Sequence, residues 1–535
     1  MRPLIVDALA SGKGSRLATR DVIGAGPRAI AGVLESSKHM PKLAPVAAVL
    51  EGRVDLREYD ALLVSGMTSD LTAIRRSVSR WKKESEGPVL IGGPVSSEPE
   101  RVIEKTKADL VVLGEAEMTL TELLNLGLSE AYTPSENDLK SVQGIAYIGQ
   151  EGAIFTGLRP GMKRSVYDSL DPSTGVITDY PLFRSARVYV EVLRGCSNYH
   201  RTTLSSENSC SGCDLCREGS MEERYYCPDG IPPGCGYCSV PSLFGPPRSR
   251  SVKKVVDEIL RLLDRGVSRF VLSAPGFLDY GRDLLVEPQP LTDPRHPEPN
   301  YEVVEDLLSG LAALDAIADG EASIMIENIK GSLVTERAAK VLGRYLEGTP
   351  VNIGFETGSA EHSRSLGRSS TPKENLRAIR RLRRAGMKPY AYFVHGLPGQ
   401  TSSTVSETVQ TIEASVGAGA SRIILYRFQS LPMSAFQNEP GAPPASRDPL
   451  SKMIQNTARG ANRRLKEDLL GAEVEVVVAE VYDRDRRFHI AYPMLHGPVV
   501  LVEGVEMSAG DVFRVIIEEV VSDRMVKARP VDAMF

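Results

Sequence analysis

The pattern of apolar and polar positions divides the chain into three regimes. From residue 1 to about 125, short apolar runs (Leu4-Ile5-Val6, Ala61-Leu62-Leu63-Val64, Pro88-Val89-Leu90-Ile91 and 109–113) predict strands, and the helical spacing over 27–34, 70–83 and 98–105 predicts helices between them. Strands alternating with helices imply βαβ units and a parallel sheet, whose ligands gather at the carboxyl ends of the strands. Ser65, Gly92, Gly93 and Gly114 stand at such ends. Each glycine also has the plainer reading of a turn former.

Residues 130–185 are rich in turn formers (Thr133-Pro134-Ser135, Asp171-Pro172-Ser173, Tyr180-Pro181) and carry one short strand, 144–148, so they read as a linker with a small hairpin. A second α/β stretch opens at 187–193 and runs to about 430. Its expected strands are 269–272, 323–326, 351–355, 389–394 and 422–426, with helices such as 252–264 and 375–384 between them. That repeated order is a barrel or partial barrel, in which catalytic groups sit on strand ends. A Pro- and Ala-rich boundary at 440–449 and a helix over 449–469 lead to short strands at 473–481, 499–502 and 512–518, the pattern of a small β-barrel. The fold class is therefore α/β: a Rossmann-like parallel-sheet domain (1–128), a linker (129–185), a partial (β/α) barrel (186–445), a helical connector (446–470) and a small C-terminal β-barrel (471–535).

Composition narrows the function. With 535 residues there is sequence for several buried cores, and 25% charged residues, 42% apolar residues and a formal net charge of −5 describe a soluble globular protein. A globally basic nucleic-acid binder is excluded, although local basic faces are still allowed. No stretch reaches the roughly 18–20 consecutive apolar residues of a membrane span, and the first residues lack a signal-peptide core, so the expected location is the cytoplasm.

All seven cysteines fall in one segment: Cys196, Cys210, Cys213, Cys216, Cys227, Cys235 and Cys238. Disulfides usually spread through a small secreted domain, whereas crowding in one segment of an intracellular chain points to metal. The run Cys235-Gly236-Tyr237-Cys238, with Cys196 at the end of the first barrel strand, resembles the radical S-adenosylmethionine (radical SAM) superfamily, whose loop after that strand carries Cys-x3-Cys-x2-Cys. The resemblance implies that Cys196, Cys235 and Cys238 are the catalytic cysteines. Three thiolates would hold three irons of a [4Fe-4S] cluster, and the fourth iron would bind SAM, which one electron cleaves to a 5′-deoxyadenosyl radical.

The departure from the family is an insertion, 197–234, where the family has three residues. Its four cysteines, Cys210-x2-Cys213-x2-Cys216-x10-Cys227, can close round one zinc, one iron or a second cluster, as a structural knot or a redox site. A rival partition gives Cys210, Cys213 and Cys216 to the radical cluster.

The resemblance continues along the barrel. Val351-Asn352-Ile353-Gly354-Phe355-Glu356-Thr357-Gly358-Ser359, Gly367-Arg368 and Gly396-Leu397-Pro398-Gly399-Gln400-Thr401 are similar to the family's later motifs. They imply SAM contacts from Tyr237, Glu356, Gly358, Arg368, Gly396, Pro398 and Gly399, with Gln400 replacing the usual acid. Glu327, ending an earlier strand, is read either as facing the site or as a solvated loop carboxylate.

The N-terminal domain resembles the cobalamin-binding domain of one radical SAM class, making Ser65, Gly92, Gly93 and Gly114 candidate cobalamin contacts. It lacks the Asp-x-His-x-x-Gly motif, and the nearby histidine is His39. Cobalamin would then bind without a protein histidine, or the domain is a scaffold. The tail resembles the TRAM domain of RNA methylthiotransferases and RNA methyltransferases, with Arg484, Arg486, Arg487, Phe488, His489 and Tyr492 as candidate RNA contacts or a solvated basic turn. Those methylthiotransferases carry three N-terminal cysteines, and residues 1–195 here have none.

The leading expectation is a radical SAM enzyme that methylates, thiolates or otherwise functionalises an unactivated carbon, with RNA as substrate and a ferredoxin or flavodoxin as electron donor. The alternatives are radical modification of an archaeal membrane lipid and a non-catalytic iron–sulfur RNA-binding protein.

Overall fold

The computed structural model describes residues 1–16, 20–129, 134–504, 507–522 and 524–531; Thr133 of the expected turn lies outside them. It resolves into two units, Met1–Val190 with Asp257–Val267, and Glu191–Val256 with Ser268–Phe535.

In the first unit the strands are β1 (Pro3–Asp7), β2 (Val22–Ile23), β3 (Lys42–Pro45), β4 (Ala61–Ser65), β5 (Val89–Gly92), β6 (Leu110–Val112), β7 (Ile145–Gly149), β8 (Gly152–Phe155) and β9 (Arg187–Glu191). Seven of them form one sheet in the order β3-β1-β4-β5-β6-β7-β8. The first five are parallel, and the β7–β8 hairpin adds antiparallel strands beyond β6. The hairpin expected in a linker thus extends the sheet: Ile145 and Ala146 pair with Val112 and Val111 and are buried. β3 was not legible because its four residues are too short for a periodic signal. Its presence places the reversal of strand order between β1 and β4, the edge where doubly wound sheets bind ligands.

In the second unit, β10 (Leu193–Arg194) pairs with β11 (Arg248–Ser249), and β12 (Arg269–Ser273) with β13 (Ser323–Ile326). β14 (Asn328–Ile329), β15 (Pro350–Glu356), β16 (Lys388–His395) and β17 (Arg422–Arg427) form a parallel sheet. The connecting helices start where the sequence caps them. Thr371 and Glu374 satisfy each other's backbone N–H groups around Pro372, and Thr401 caps the helix Ser402–Gly417.

β18 (Glu473–Val481), β19 (Phe488–Pro493), β20 (Val499–Glu503), β21 (Val512–Val520) and β22 (Met525–Pro530) close the expected barrel in the order β18-β19-β20-β22-β21. β19 corrects the sequence reading, which placed Phe488, His489 and Tyr492 between strands, as candidate RNA contacts or part of a basic turn. All six residues of β19 are buried because its two faces are both covered. Ala491 points into the barrel core, while Phe488, Ile490 and Tyr492 form a second cluster outside it. That second face packs on the partial barrel: Arg269 lies 5.8 Å from the Tyr492 ring, Ser323 donates to the Met494 carbonyl at 2.9 Å, and Tyr390 hydrogen-bonds His496 at 2.7 Å. These contacts fall at the starting ends of β12, β13 and β16, the edge opposite the one that carries the cysteines.

Candidate active site

The first cysteine follows a glycine that has no substitute. Gly195 has φ +92°, and a Cβ there would meet the Pro246 carbonyl oxygen at 2.3 Å. The loop of the other two cysteines is pinned on both sides. Gly236 donates to the Leu366 carbonyl at 2.9 Å and its own carbonyl accepts from Phe436 at 2.9 Å, so tightly that a Cβ would enter the Phe436 ring.

Asn198 joins the two loops across the insertion. Its backbone N–H approaches Cys196 Sγ at 3.4 Å, and its side-chain amide donates to Cys235 Sγ at 3.2 Å and to the Gly367 carbonyl at 2.9 Å. Arg201 gathers the insertion's ends, donating to the carbonyls of Tyr199, Arg224, Tyr225 and Ile231, and Gly234 donates to His200 O at 2.9 Å. The long excursion therefore leaves and returns at one place, which is how Cys196 reaches Cys235 and Cys238.

Charge is organised round these thiols. Asp279, wholly buried, pairs with Arg282 at 2.6 Å and with Lys330, and accepts a hydrogen bond from Ser197. Burial pushes the Cys238 thiol up to about 12, and Cys235 and Cys196 push it the same way; burial also raises Cys196, opposed by the Lys330 charge. Among the described residues no three His, Cys, Asp or Glu side chains meet closely enough for one ion. Asn198 touches both Cys196 and Cys235, and Cys238 follows on the same pinned loop, so these three thiols fit the three protein ligands of a cluster.

At the end of β15, Glu356 adopts φ +62°, rare for a residue with a side chain, where the register with β16 slips. Arg368 pairs with Glu356 at 3.2 Å, donates to Tyr237 Oη at 2.6 Å and to the Gly354 carbonyl, and lies 3.8 Å from Cys235 Sγ. Burial raises the Glu356 carboxyl despite Arg368. Tyr237, Glu356 and Arg368 are thus brought together beside the thiols.

The other expected SAM contacts sit in tightly packed turns. Gly358 donates to Thr408 Oγ1 at 2.9 Å, and a Cβ would lie 2.4 Å from the Glu407 carbonyl oxygen. A Cβ on Gly396 would strike Ala442 at 2.2 Å; the Pro398 carbonyl meets His362 Nε2 at 2.8 Å; and Gly399, at φ +80°, abuts Leu204 and His362. Gln400 accepts from the Gly396 N–H at 2.7 Å, folding the loop back on itself. Glu327 is no solvated carboxylate: Ser273 donates to it at 2.9 Å, and burial raises its pKa.

Asn198, Asp279, Arg282 and Lys330 escaped sequence reasoning. Asn198, Asp279 and Arg282 lie in turns and loops, and only Lys330 directly follows a strand, so no local pattern marks them as a group. Cys210, Cys213, Cys216 and Cys227 line a single cavity in the insertion; the first two are exposed and the others half-buried.

In the first unit, Ser65 faces Gly92 at the ends of β4 and β5, and Gly114 follows β6 with φ +68°. A Cβ on Gly93 would lie 2.9 Å from Ser65 Oγ, whereas Gly92 has only the Val112 carbonyl oxygen near it, at 3.7 Å. Buried Asp70 holds the neighbouring loop by accepting from Ala10, Gly12 and Met67. His39 bonds the chain's first amino group at 3.1 Å, at the other edge of the sheet, away from Ser65 and Gly92.

Residues 225–412 match the radical SAM superfamily, a span that includes Cys235, Cys238, Glu356 and Arg368. A protein of Methanopyrus kandleri is 42% identical over 530 residues, covering 99% of this chain and 96% of that one. The chain belongs to the radical SAM superfamily. It is accordingly a radical SAM enzyme, whose family cofactors are a [4Fe-4S] cluster and S-adenosylmethionine. A ribosomal protein uS12 methylthiotransferase of Desulforudis audaxviator is 28% identical over 258 residues, 47% of this chain and 52% of that protein. In fold, the chain is similar to a radical S-adenosylmethionine methyltransferase from Kitasatospora setae, solved with cobalamin and a [4Fe-4S] cluster (TM-score 0.57, 15% identity, 82% of this chain and 77% of that one). No helix among the described residues is long and apolar enough to cross a membrane.

Proposed function

We propose that the enzyme methylates, thiolates or otherwise functionalises an unactivated carbon on RNA in the cytoplasm, with Cys196, Cys235 and Cys238 holding the radical-generating cluster. The observation that carries this is the link from Asn198 through Cys235 to Arg368, Glu356 and Tyr237, which sets three thiols beside a carboxylate and a guanidinium. When bound, the cluster supplies one electron that cleaves SAM. The chain's own residues do the positioning. Glu356 and Arg368 offer opposite charges to the amino acid moiety of SAM, Tyr237 fixes the guanidinium, and the Gly396–Gly399 turn borders the place.

The four cysteines of the insertion hold a second metal centre. Cobalamin, if carried, lies over the strand ends at Ser65, Gly92 and Gly114. The open face of Gly92 favours this, and the position of His39 means that it binds without that histidine.

The RNA assignment rests on the C-terminal barrel and its exposed Arg484 and Arg486. Arg487 is tied to Asp485 at 2.7 Å, and Phe488 is buried under Arg487 and Lys527, so base stacking on Phe488 is not part of the proposal. The test is anaerobic reconstitution followed by SAM turnover with total RNA. The expected result is 5′-deoxyadenosine from the wild type, none from a Cys196→Ala/Cys235→Ala/Cys238→Ala variant, and a mass increase on RNA nucleosides. Modified lipid in place of modified RNA would replace the substrate; retained turnover in the variant would move the cluster to the insertion.

A further inference from the structure

The C-terminal barrel marks out the inner face of the partial barrel. Arg269 and Ser323, register partners on β12 and β13, both turn to the face that meets it, as does Tyr390 on β16. Side chains on one face of a strand recur every second residue, so the same face carries Ser273 and Glu327 at the other ends of β12 and β13. The register of β15, β16 and β17 sets Asn352 and Arg422 beside Tyr390, and Gly354 beside Tyr392. This face leads to the proposed SAM residues: a Cβ on Gly354 would meet the Glu356 carboxylate at 2.5 Å and the Arg368 guanidinium at 3.0 Å. The interior is thus floored by the C-terminal barrel and opens toward Glu356 and Arg368.

One level of this interior is polar and short of partners. Glu327 joins the β12–β13 pair to the β14–β17 sheet, its N–H donating to the Leu272 carbonyl at 3.3 Å and its carbonyl accepting from the Asn352 N–H at 2.9 Å. Glu327, Asn352 and Arg422 therefore share a level, and all three are half-buried, so solvent still reaches them. Ser273 donates to the Glu327 carboxylate, but among the described residues no cation pairs with Glu327 and no carboxylate pairs with Arg422, which lies 5.8 Å from the Tyr390 ring. Three strand spacings, roughly 14 Å along the curved wall, separate the two charges, room for a ring system with a hydrogen bond on each side. Toward the mouth, the rings of Tyr392 and Tyr426 lie 5.8 Å apart, and Tyr426 is 57% exposed.

A cationic ligand would be repelled by Arg422 and an anionic one by Glu327. A neutral planar group with N–H donors on one edge and acceptors on another satisfies both, and gives the tyrosine rings a face to stack on. Guanine has this pattern: N1–H and N2–H suit a carboxylate, and O6 and N7 suit a guanidinium. Adenine and cytosine offer the carboxylate one amino group, and uracil one imino N–H. We propose that Glu327 and Arg422 recognise a guanine that leaves its stack in RNA and enters the barrel interior, covered by Tyr392 and Tyr426. This rests on the RNA reading above and names the base. Asn352 is one side-chain repeat below Gly354, so a base at this level lies next to the residues proposed to hold SAM.

The experiment measures binding of short uridine oligomers carrying one central test base to the full-length protein, by fluorescence anisotropy. The wild type should bind the guanine oligomer about tenfold or more tighter than the adenine, cytosine and all-uridine ones. Inosine, which lacks the N2 amino group, and 7-deazaguanine, which lacks N7, should each lose severalfold. Glu327→Gln should erase most of the inosine penalty and keep the 7-deazaguanine penalty, and Arg422→Met should do the reverse. Each penalty is a ratio within one protein sample, so a smaller folded fraction cancels, and the wild-type analogues decide even if a variant fails to fold. Equal binding of all bases by the wild type, or the same penalties in both variants, overturns guanine recognition while leaving the RNA reading intact. An arginine-containing peptide that binds in competition with the guanine oligomer, and does so more weakly to Glu327→Gln, replaces the base by a cationic protein side chain. No binding of any oligomer by a wild type that still cleaves SAM overturns the RNA reading itself.

Discussion

Cys196, Cys235 and Cys238 lie under Asn198, Arg368 and Lys330, whereas Cys210 and Cys213, reached by the same excursion of the chain, stand in solvent. The ligand atom is the same in both groups and the surroundings differ. The first group is held by pinned loops and by a buried ion network centred on Asp279. The second is held by the short turns of its own insertion, among them the four-residue helix Leu215–Glu218 and the capped helix Met221–Tyr225. A centre that makes a reactive radical needs to exclude water. The contrast lies in what holds each group, since Cys216 and Cys227 are half-buried like Cys196, Cys235 and Cys238, and only Cys210 and Cys213 are exposed.

The largest effect expected from breaking this contrast is on the buried side. Replacing Cys196, Cys235 and Cys238 by alanine should abolish 5′-deoxyadenosine formation and remove about four iron, while the metal of the insertion stays; elemental analysis beside a turnover assay reads both. Next, Arg368→Ala and Glu356→Gln should each lower SAM cleavage by roughly 10²-fold, because removing one partner leaves the other charge buried or unbalanced beside the thiols. Isothermal titration with SAM should show weakened binding in both.

Asp279→Ala should destabilise the fold by about 3–5 kcal/mol by stranding Arg282 and Lys330, seen as a lowered midpoint in denaturant unfolding. Substitution of Cys213, on the exposed side, should leave that midpoint almost unmoved.

A pH test sharpens the same point. Burial and the charge of Arg217 lower the His200 pKa from 6.5 to about 4. The folded state therefore favours the neutral ring, and its contribution is fully present above pH 6.5 and lost as pH falls from 6.5 to about 4. The loss should be on the order of 3 kcal/mol, and His200→Asn should flatten the acid limb of a Tm-versus-pH curve. The smallest expected effect is on the C-terminal barrel. Arg484→Ser/Arg486→Ser should weaken RNA binding by a few-fold at low salt with little change at high salt, read by filter binding, since exposed cations contact phosphates through screened attraction.

Much of the fold was legible because its elements carry local signals. The strands Ser323–Ile326 and Glu473–Val481 have the bounds that the apolar pattern suggests, and the others differ by a residue or two. β19 was not legible because both its faces are covered, which erases the alternation that marks a half-exposed strand. β22 was missed for the opposite reason, since Lys527 and Arg529 interrupt it with charges that point to solvent and pair with Glu503 and Glu518. In the site, Tyr237, Glu356 and Arg368 could be named from motifs and are brought together, and the glycines of the same motifs lie in tightly packed turns.

The amino-acid sequence by itself determined the order of domains, the crowding of all seven cysteines into one segment, and the family, because these depend on residue identity and local spacing. Only the tertiary structure decided that Asn198 bridges Cys196 and Cys235, that Asp279 anchors Arg282 and Lys330, and that the C-terminal barrel packs on the far edge from the thiols. The physical reason is that the decisive contacts among these, Asn198 to Cys235, Asp279 to Lys330 and Ser323 to Met494, join residues from tens to more than a hundred positions apart. Side chains of that separation meet only when burial of the intervening strands and helices has already compensated the entropy of bringing them together.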